Sequence, residues 1–155
     1  MPIDPAKVRQ LVEHKYDAPL LCCAFDPAGR FALAGGRDRG VLCVDVATGG
    51  KSVLEGHESW VGTAVRASGD LVLTADYAGH VIAWDCTGER PKPRWNIPAH
   101  AQTIYSLAAS TNGEQFATGD RDGTIRVWRT SDGQRTHEIA GLAHPVYGLA
   151  FHPDA

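Results

Sequence analysis

The stretch from Phe116 to Trp128, Phe-Ala-Thr-Gly-Asp-Arg-Asp-Gly-Thr-Ile-Arg-Val-Trp, decides the fold. Two short runs rich in apolar and β-branched residues flank its Asp-Gly pair, and such a pair between two runs is a strong signal for a β-hairpin. Two similar stretches occur upstream, where Arg37-Asp-Arg-Gly40 leads into the apolar run 41–44 and Tyr77-Ala-Gly79 leads into the run 81–84. The hairpin therefore belongs to an internal repeat.

Two further series of residues have the same period. His14, His57 and His100 follow one another at steps of 43 residues. The second series has steps of 41, 43 and 42 residues and consists of Leu20, Val61, Ile104 and Val146. Because three independent series agree, we expect one supersecondary unit to recur about every 40 to 45 residues.

Each period contains short apolar runs separated by turn residues, which predicts four strands, here called a to d. Strand a is expected at 20–25, 61–66 and 104–109, strand b at 31–34, 71–74 and 115–118, strand c at 41–45, 81–85 and 124–128, and strand d at 51–54, 94–97 and 136–139. A lone strand d at 8–12 precedes these units and a lone strand a at 146–151 follows them. Residues 8–12 also fit a short helix, but their match to the other strand-d segments favours a strand.

A repeat of this length with four strands resembles the WD-repeat β-propeller family. The residues that carry the resemblance are Gly56-His57, Trp84-Asp85 and the stretch 116–128, although Arg129 replaces the final Asp of the Trp-Asp pair. The resemblance implies an all-β fold, a partial β-propeller of four-stranded antiparallel blades. One propeller segment over 1–155 would hold blade 1 at about 20–55, blade 2 at about 61–98 and blade 3 at about 104–140.

The resemblance also implies a structural tetrad in each blade. In it an Asp of the b–c hairpin holds a His, the His contacts a hydroxyl of strand b, and that hydroxyl accepts a hydrogen bond from a Trp of strand c. Buried imidazole and indole N–H groups need such partners. The third blade has the full set, assigned here to His100, Thr118, Asp122 and Trp128. The second has His57, Thr74 and Trp84, with Ala78 at the position expected for the Asp.

The first blade matches this tetrad poorly. It keeps Asp38 and has His14 nearby, but Ala34 and Val44 replace the hydroxyl and the Trp. A tetrad in blade 1 is therefore not expected.

Family members bind proteins or peptides on the face where the d–a and b–c loops open. The corresponding positions of this chain carry six aromatic and arginine residues: Trp60, Tyr77, Tyr105, Tyr147, Arg37 and Arg121. Trp, Tyr and Arg are the residue types most enriched in binding hot spots. The alternative is that some of these side chains pack against neighbouring blades. The resemblance therefore implies a non-catalytic protein-interaction scaffold.

Other classes of function find little support in the sequence. The net charge of −3 offers no basic field for nucleic acid or membrane. Residues that recur once per blade lie far apart, so the histidines and aspartates predict no metal site. The sequence has no G-x-S-x-G elbow and no glycine-rich phosphate loop, so we expect neither enzymatic activity nor a bound cofactor. The basic cluster Arg90-Pro-Lys-Pro-Arg94 fits a docking arm or a solvated spacer.

A closed propeller has about four to eight blades, so three blades are too few to close one. Open blade edges favour aggregation. Two explanations are left open: the chain is the N-terminal part of a longer propeller, or copies of it self-associate to complete a ring. Four cysteines without a C-x-x-C pair, and a polar N-terminus, predict reduced thiols and a cytoplasmic location.

Overall fold

A computed structural model describes residues 10, 12–67 and 69–153, and in them it places twelve β-strands and no helix. Blade 1 contains β1 (Leu20–Phe25), β2 (Phe31–Gly36), β3 (Val41–Asp45) and β4 (Lys51–Leu54). Blade 2 contains β5 (Val61–Arg66), β6 (Leu71–Asp76), β7 (His80–Asp85) and β8 (Lys92–Pro98). Blade 3 contains β9 (Ile104–Ala109), β10 (Gln115–Asp120), β11 (Ile125–Arg129) and β12 (Arg135–Ile139). Each blade is one antiparallel sheet with its strands in chain order. The expected all-β fold of four-stranded blades is confirmed.

Two apolar cores hold neighbouring blades together. Between blades 1 and 2, Phe31 and Leu33 pack in one cluster with Val61 and Trp84. Between blades 2 and 3, side chains of β6 and β7 pack with Phe116 and other residues of blade 3. The inner strands β1, β5 and β9 contact one another in turn, so the blades fan out from a common axis.

A β-bulge recurs where each inner strand begins. The pairing register of strands a and b skips one residue, which is Leu21 in blade 1, Gly62 in blade 2 and Tyr105 in blade 3. A bulge locally re-aims the side chain of the extra residue. The bulges therefore lie at the end of each sheet where strand a begins and strand b ends, next to the d–a and b–c loops.

Two glycines allow the b–c hairpins to approach the following loop closely. Gly79 has φ of +91°, and a Cβ atom there would lie 2.1 Å from the carbonyl oxygen of His100. Gly123 has φ of +76°, and its Cβ would lie 2.3 Å from the carbonyl oxygen of Leu142. In blade 1 the corresponding residue is Arg39, which adopts φ of +72° without being glycine.

The strand expected at 146–151 is not formed, which corrects the sequence-based expectation. The segment begins as an inner strand would, because Val146 N–H donates to Asp120 O at 3.0 Å and its carbonyl accepts from Ser106 Oγ at 2.8 Å. No strand b is present among the described residues to pair with it, so no ladder forms. The strand expected at 8–12 falls outside the described residues except for positions 10 and 12, and neither is in a strand.

Candidate functional site

A buried hydrogen-bond network connects the loop, the hairpin and strand c of blade 3. His100 Nδ1 lies 2.8 Å from Asp120 Oδ2, and its Nε2 lies 2.6 Å from Thr118 Oγ1. Trp128 Nε1 donates to the same Thr118 oxygen at 2.8 Å. The network assigns the proton of the neutral imidazole to Nδ1, because the Thr118 hydroxyl then donates to Nε2 and accepts from the indole.

Blade 2 repeats this network with the same geometry. His57 Nδ1 lies 2.9 Å from Asp76 Oδ2, and His57 Nε2 lies 2.7 Å from Thr74 Oγ1. Trp84 Nε1 donates to Thr74 Oγ1 at 2.7 Å. All four side chains are buried. The d–a loop is therefore pinned to its hairpin in blade 2 as in blade 3.

The assignment of the tetrad aspartate from sequence is wrong by two residues. Asp122 is exposed and outside the network, and the acceptor for His100 is Asp120. In blade 2 the acceptor is Asp76, so no Asp is missing at Ala78. The physical reason is that strand b runs two residues further than expected, to Asp120 and Asp76, so its last residue points inward and also holds the hairpin. Asp120 Oδ1 accepts from the backbone N–H groups of positions 122 and 124 at 3.0 and 2.8 Å.

Blade 1 has no such network among the residues that the structure describes. Gly36 ends β2 where Asp76 and Asp120 end β6 and β10. Asp38 instead accepts hydrogen bonds from the Tyr16 hydroxyl and from Gly40 N–H. Burial and the contact with Asp38 raise the pKa of Tyr16 to about 12, so this phenol stays protonated as a donor.

In each network the pKa of one member is lowered, that of His100 in blade 3 and that of Asp76 in blade 2. Burial lowers the pKa of His100 even though the Asp120 carboxylate opposes the shift. Burial acts to raise the pKa of Asp76, but hydrogen bonds from His57 and from the backbone of His80 outweigh it and lower that pKa. Burial thus favours the neutral imidazole of His100, and the hydrogen bonds favour the ionised carboxylate of Asp76.

Four aromatic rings form a continuous row on the rim where the d–a and b–c loops open, and we call this row the aromatic track. Its members are Trp60, Tyr77, Tyr105 and Tyr147. The ring centroids are 5.9 Å apart for the first pair, 6.2 Å for the second and 5.0 Å for the third. The Arg37 guanidinium lies over the Trp60 ring, 4.2 Å from its centroid, and extends the row by one residue. The alternative that some of these side chains pack against neighbouring blades also holds, since Arg37 of blade 1 lies on Trp60 of blade 2 and Tyr77 of blade 2 contacts Tyr105 of blade 3.

Backbone features of the blades position the track. Tyr77 N–H donates to Trp60 O at 3.0 Å, which fixes the hairpin against the start of β5. The Tyr77 ring lies directly over Gly62, where a Cβ atom would come within 2.3 Å of it. The bulge at Tyr105 turns this ring out of the inner strand and towards Tyr77.

The track is exposed although its rings contact one another. The exposed fraction is 40% for Trp60, 37% for Tyr77 and 72% for Tyr147. Tyr105 is half-buried between its neighbours. Arg121 occupies the same hairpin position as Arg37 and Tyr77, is exposed, and its N–H donates to Thr103 O at 2.9 Å.

The basic cluster at 90–94 is held against the propeller more firmly than a docking arm or a solvated spacer would be. Arg90 Nη2 donates to Val53 O at 2.7 Å, which ties this segment to blade 1. Pro91 is buried, and residues from Lys92 onward belong to β8. The segment therefore braces two blades, while Lys92 and Arg94 are exposed.

No group of three or more His, Cys, Asp or Glu side chains suited to a metal ion occurs within the ranges that the structure describes. Over the same ranges, no helix has the length and apolar character needed to cross a membrane.

A family profile described as WD domain, G-beta repeat matches residues 6–45 and 91–129. The matches cover just over half of the 155 residues, and they end at the last residues of β3 and β11. The chain belongs to the WD40 repeat family. The resemblance inferred from the hairpin 116–128 is thereby confirmed.

Curated relatives are much longer than this chain. Telomerase protein component 1 of Rattus norvegicus is 27% identical over 118 residues, which make up 73% of this chain and 4% of that protein. ASTRA-associated protein 1 of Schizosaccharomyces pombe is 34% identical over 103 residues, 66% of this chain and 27% of that protein. The chain thus spans only a small part of the relatives that it matches.

Solved structures share the fold. The computationally designed Ika4 protein superposes with a TM-score of 0.80 at 25% identity, over 94% of this chain and 88% of that chain. The WD40 repeats of RRP9 superpose with a TM-score of 0.77 at 17% identity, over 88% of this chain and 43% of that chain. Both comparisons agree with the blade architecture.

Proposed function

We propose that this chain is a non-catalytic protein-interaction scaffold of the WD40 family, and that it binds proteins or peptides through the aromatic track with Arg37 and Arg121. The observation that carries the proposal is the unbroken contact from Arg37 through Trp60, Tyr77 and Tyr105 to Tyr147. Large apolar rings that remain exposed on a fixed framework are typical of binding surfaces.

The track is well suited to binding because its side chains are already ordered. Each ring contacts a neighbouring ring, so a partner does not have to immobilise free rotamers. The hydrogen bonds of the tetrads in blades 2 and 3 also hold in place the d–a loops that lead to Trp60 and Thr103. The buried His and Asp side chains therefore support the binding surface rather than a reaction.

The relatives are consistent with a role inside larger assemblies. Their names include a telomerase protein component, an ASTRA-associated protein and a ribosome biogenesis protein. We propose the same general role here, with a protein rather than nucleic acid or membrane as the partner, because the net charge of the chain is −3. A cytoplasmic location remains part of this proposal.

Site-specific photo-crosslinking tests the proposal. A photoreactive phenylalanine analogue placed at Tyr147, and separately at Phe25, compares two exposed aromatic positions of which only the first lies in the track. Partners crosslinked from cells that express the protein should appear with the Tyr147 probe and be absent with the Phe25 probe. Equal crosslinking at both positions would contradict the assignment of the face.

The two open ends of the fan favour a second candidate role, assembly of a propeller ring. Leu20 is 42% exposed, whereas the corresponding Val61 and Ile104 of blades 2 and 3 are 0% exposed. At the other end Ile139 is 55% exposed, whereas the corresponding Leu54 is 4% exposed. We propose that further blades cover these surfaces within a longer propeller.

The mass of the chain in solution separates this idea from self-association. Light scattering should give 16.6 kDa if the covering blades come from additional polypeptide, and twice that mass if a second copy supplies them.

A further inference from the structure

The polar ends of the track side chains have no partner inside the described part of the chain. They are Trp60 Nε1 and the hydroxyls of Tyr77, Tyr105 and Tyr147. Each can donate a hydrogen bond, and three of the four residues are more than a third exposed. The track therefore combines apolar rings with a row of free donors, and a matching ligand needs apolar side chains alternating with free acceptors.

A polyproline II segment has this combination. It makes no internal hydrogen bonds, so its carbonyl oxygens are free to accept, and it rises about 3.1 Å per residue. The ring spacings of 5.0 to 6.2 Å in the track thus correspond to about two residues of such a segment. Proline-rich segments bind aromatic surfaces elsewhere because they lose little conformational entropy on binding.

The charge at one end of the track indicates what accompanies the prolines. The Arg37 guanidinium is exposed, lies over Trp60 and has no ion pair with any described residue. The adjacent Asp38 carboxylate accepts hydrogen bonds from Tyr16 and from Gly40 N–H and forms no ion pair with Arg37. A carboxylate on the ligand is the complementary group for this end.

Single-stranded nucleic acid fits the same rings less well. Bases bind aromatic platforms by stacking on free ring faces. In the track Tyr105 and Tyr147 already stack on each other at 5.0 Å, and one face of Trp60 is covered by Arg37. The negative net charge also disfavours a phosphate backbone.

We propose that the aromatic track binds an extended proline-rich peptide segment that carries an acidic residue at its Arg37 end. This inference rests on the proposed function and specifies its ligand. The prolines lie across Tyr77 and Tyr105, their carbonyl oxygens accept from the tyrosine hydroxyls, and the acidic side chain pairs with Arg37.

Fluorescence anisotropy with synthetic peptides tests the inference on the full chain. The probe is a labelled peptide with Glu-Glu followed by three repeats of Pro-Pro-Leu. Two matched peptides replace either the glutamates with lysines or the prolines with glycines, and labelled oligothymidylate is the nucleic-acid probe. The acidic proline peptide should bind at least about tenfold more tightly than each of the other three probes.

Variants of the protein locate the binding. Tyr105→Ala and Arg37→Ala should each weaken binding of the acidic proline peptide by about tenfold. Phe25→Ala, which removes an exposed ring outside the track, should leave it unchanged. Circular dichroism establishes that each variant folds, and Tyr105→Phe, which keeps the ring and removes only the donor, serves as a milder second variant.

Two results would overturn this inference. One is tighter binding of the glycine peptide or of oligothymidylate than of the acidic proline peptide, and the other is no peptide binding at all. If a protein partner crosslinks at Tyr147 while no proline peptide binds, the ligand class is wrong and the proposed function stands. If partners crosslink equally at Phe25, the proposed function itself fails.

Discussion

Replacing Asp120 tests whether the aspartate of the blade 3 tetrad is Asp120, as the structure shows, or Asp122, as the sequence suggested. Its carboxylate accepts three hydrogen bonds, from His100 Nδ1 at 2.8 Å and from the backbone N–H groups of positions 122 and 124 at 3.0 and 2.8 Å. The carboxylate is almost fully buried, at 7% side-chain exposure. Its removal therefore leaves three donors without an acceptor.

The expected cost follows from these three bonds. A hydrogen bond to a charged group contributes about 1.5 kcal/mol, so the loss of three should make Asp120→Ala lower the free energy of unfolding by about 4.5 kcal/mol. That is a large share of the about 5 to 15 kcal/mol typical of folded domains. Asp122→Ala is the matched control, because this exposed carboxylate lies outside the network, and it should change stability by less than about 0.5 kcal/mol.

Urea denaturation followed by tryptophan fluorescence measures both variants, since Trp128 belongs to the network. The urea midpoint of Asp120→Ala should fall well below that of the wild type, with the midpoint of Asp122→Ala close to it. Equal midpoints for the two variants, or a larger loss for Asp122→Ala, would refute the network described here.

Three further predictions concern the b–c hairpins and the d–a loops that contact them. Because burial lowers the pKa of His100, the unfolded chain binds the proton first as pH falls; stability is therefore full above about pH 6.5 and declines below it. The thermal midpoint should thus drop between pH 7.5 and 5.5, less so in His100→Gln. Gly79→Ala places a Cβ 2.1 Å from the His100 carbonyl oxygen and should cost about 3 kcal/mol in urea unfolding, against about 1 kcal/mol for Gly69→Ala, where no atom lies within 4 Å. Arg39→Gly relieves a side chain held at φ of +72° and should raise the free energy of unfolding in urea slightly, by about 0.5 kcal/mol.

Strand positions are readable from this sequence because turn residues bound every strand. The inner strands β1, β5 and β9 have the bounds that the apolar runs predict, since Asp-Pro-Ala-Gly, Ser-Gly-Asp and Thr-Asn-Gly turns follow them directly or after one residue. The end of strand b was not readable in the same way. Gly35-Gly36, Ala75-Asp76 and Gly119-Asp120 look like turn residues, yet they continue the ladder to the bulge.

This error at the end of strand b explains the wrong choice of tetrad aspartate. In Asp120-Arg-Asp122 both carboxylates suit a hairpin, and spacing alone does not say which one faces inward. Blade 2 contained the missing signal, because it has Asp76 but Ala78, so only the earlier position is an Asp in both blades. The sequence also did not reveal which rings of the aromatic track contact one another, because the bulges at Gly62 and Tyr105 decide this.

The most direct measurement of the central claim is the affinity of one crosslinked partner, after purification, for two variants of this chain. The first combines Trp60→Ala with Tyr105→Ala in the aromatic track, and the second combines Lys92→Ala with Arg94→Ala in the exposed part of the basic cluster. Isothermal titration calorimetry should show a loss of about several hundredfold for the aromatic variant, because two buried rings contribute about 2 kcal/mol each, and little change for the basic variant. Full affinity in the aromatic variant together with lost affinity in the basic variant would contradict the account.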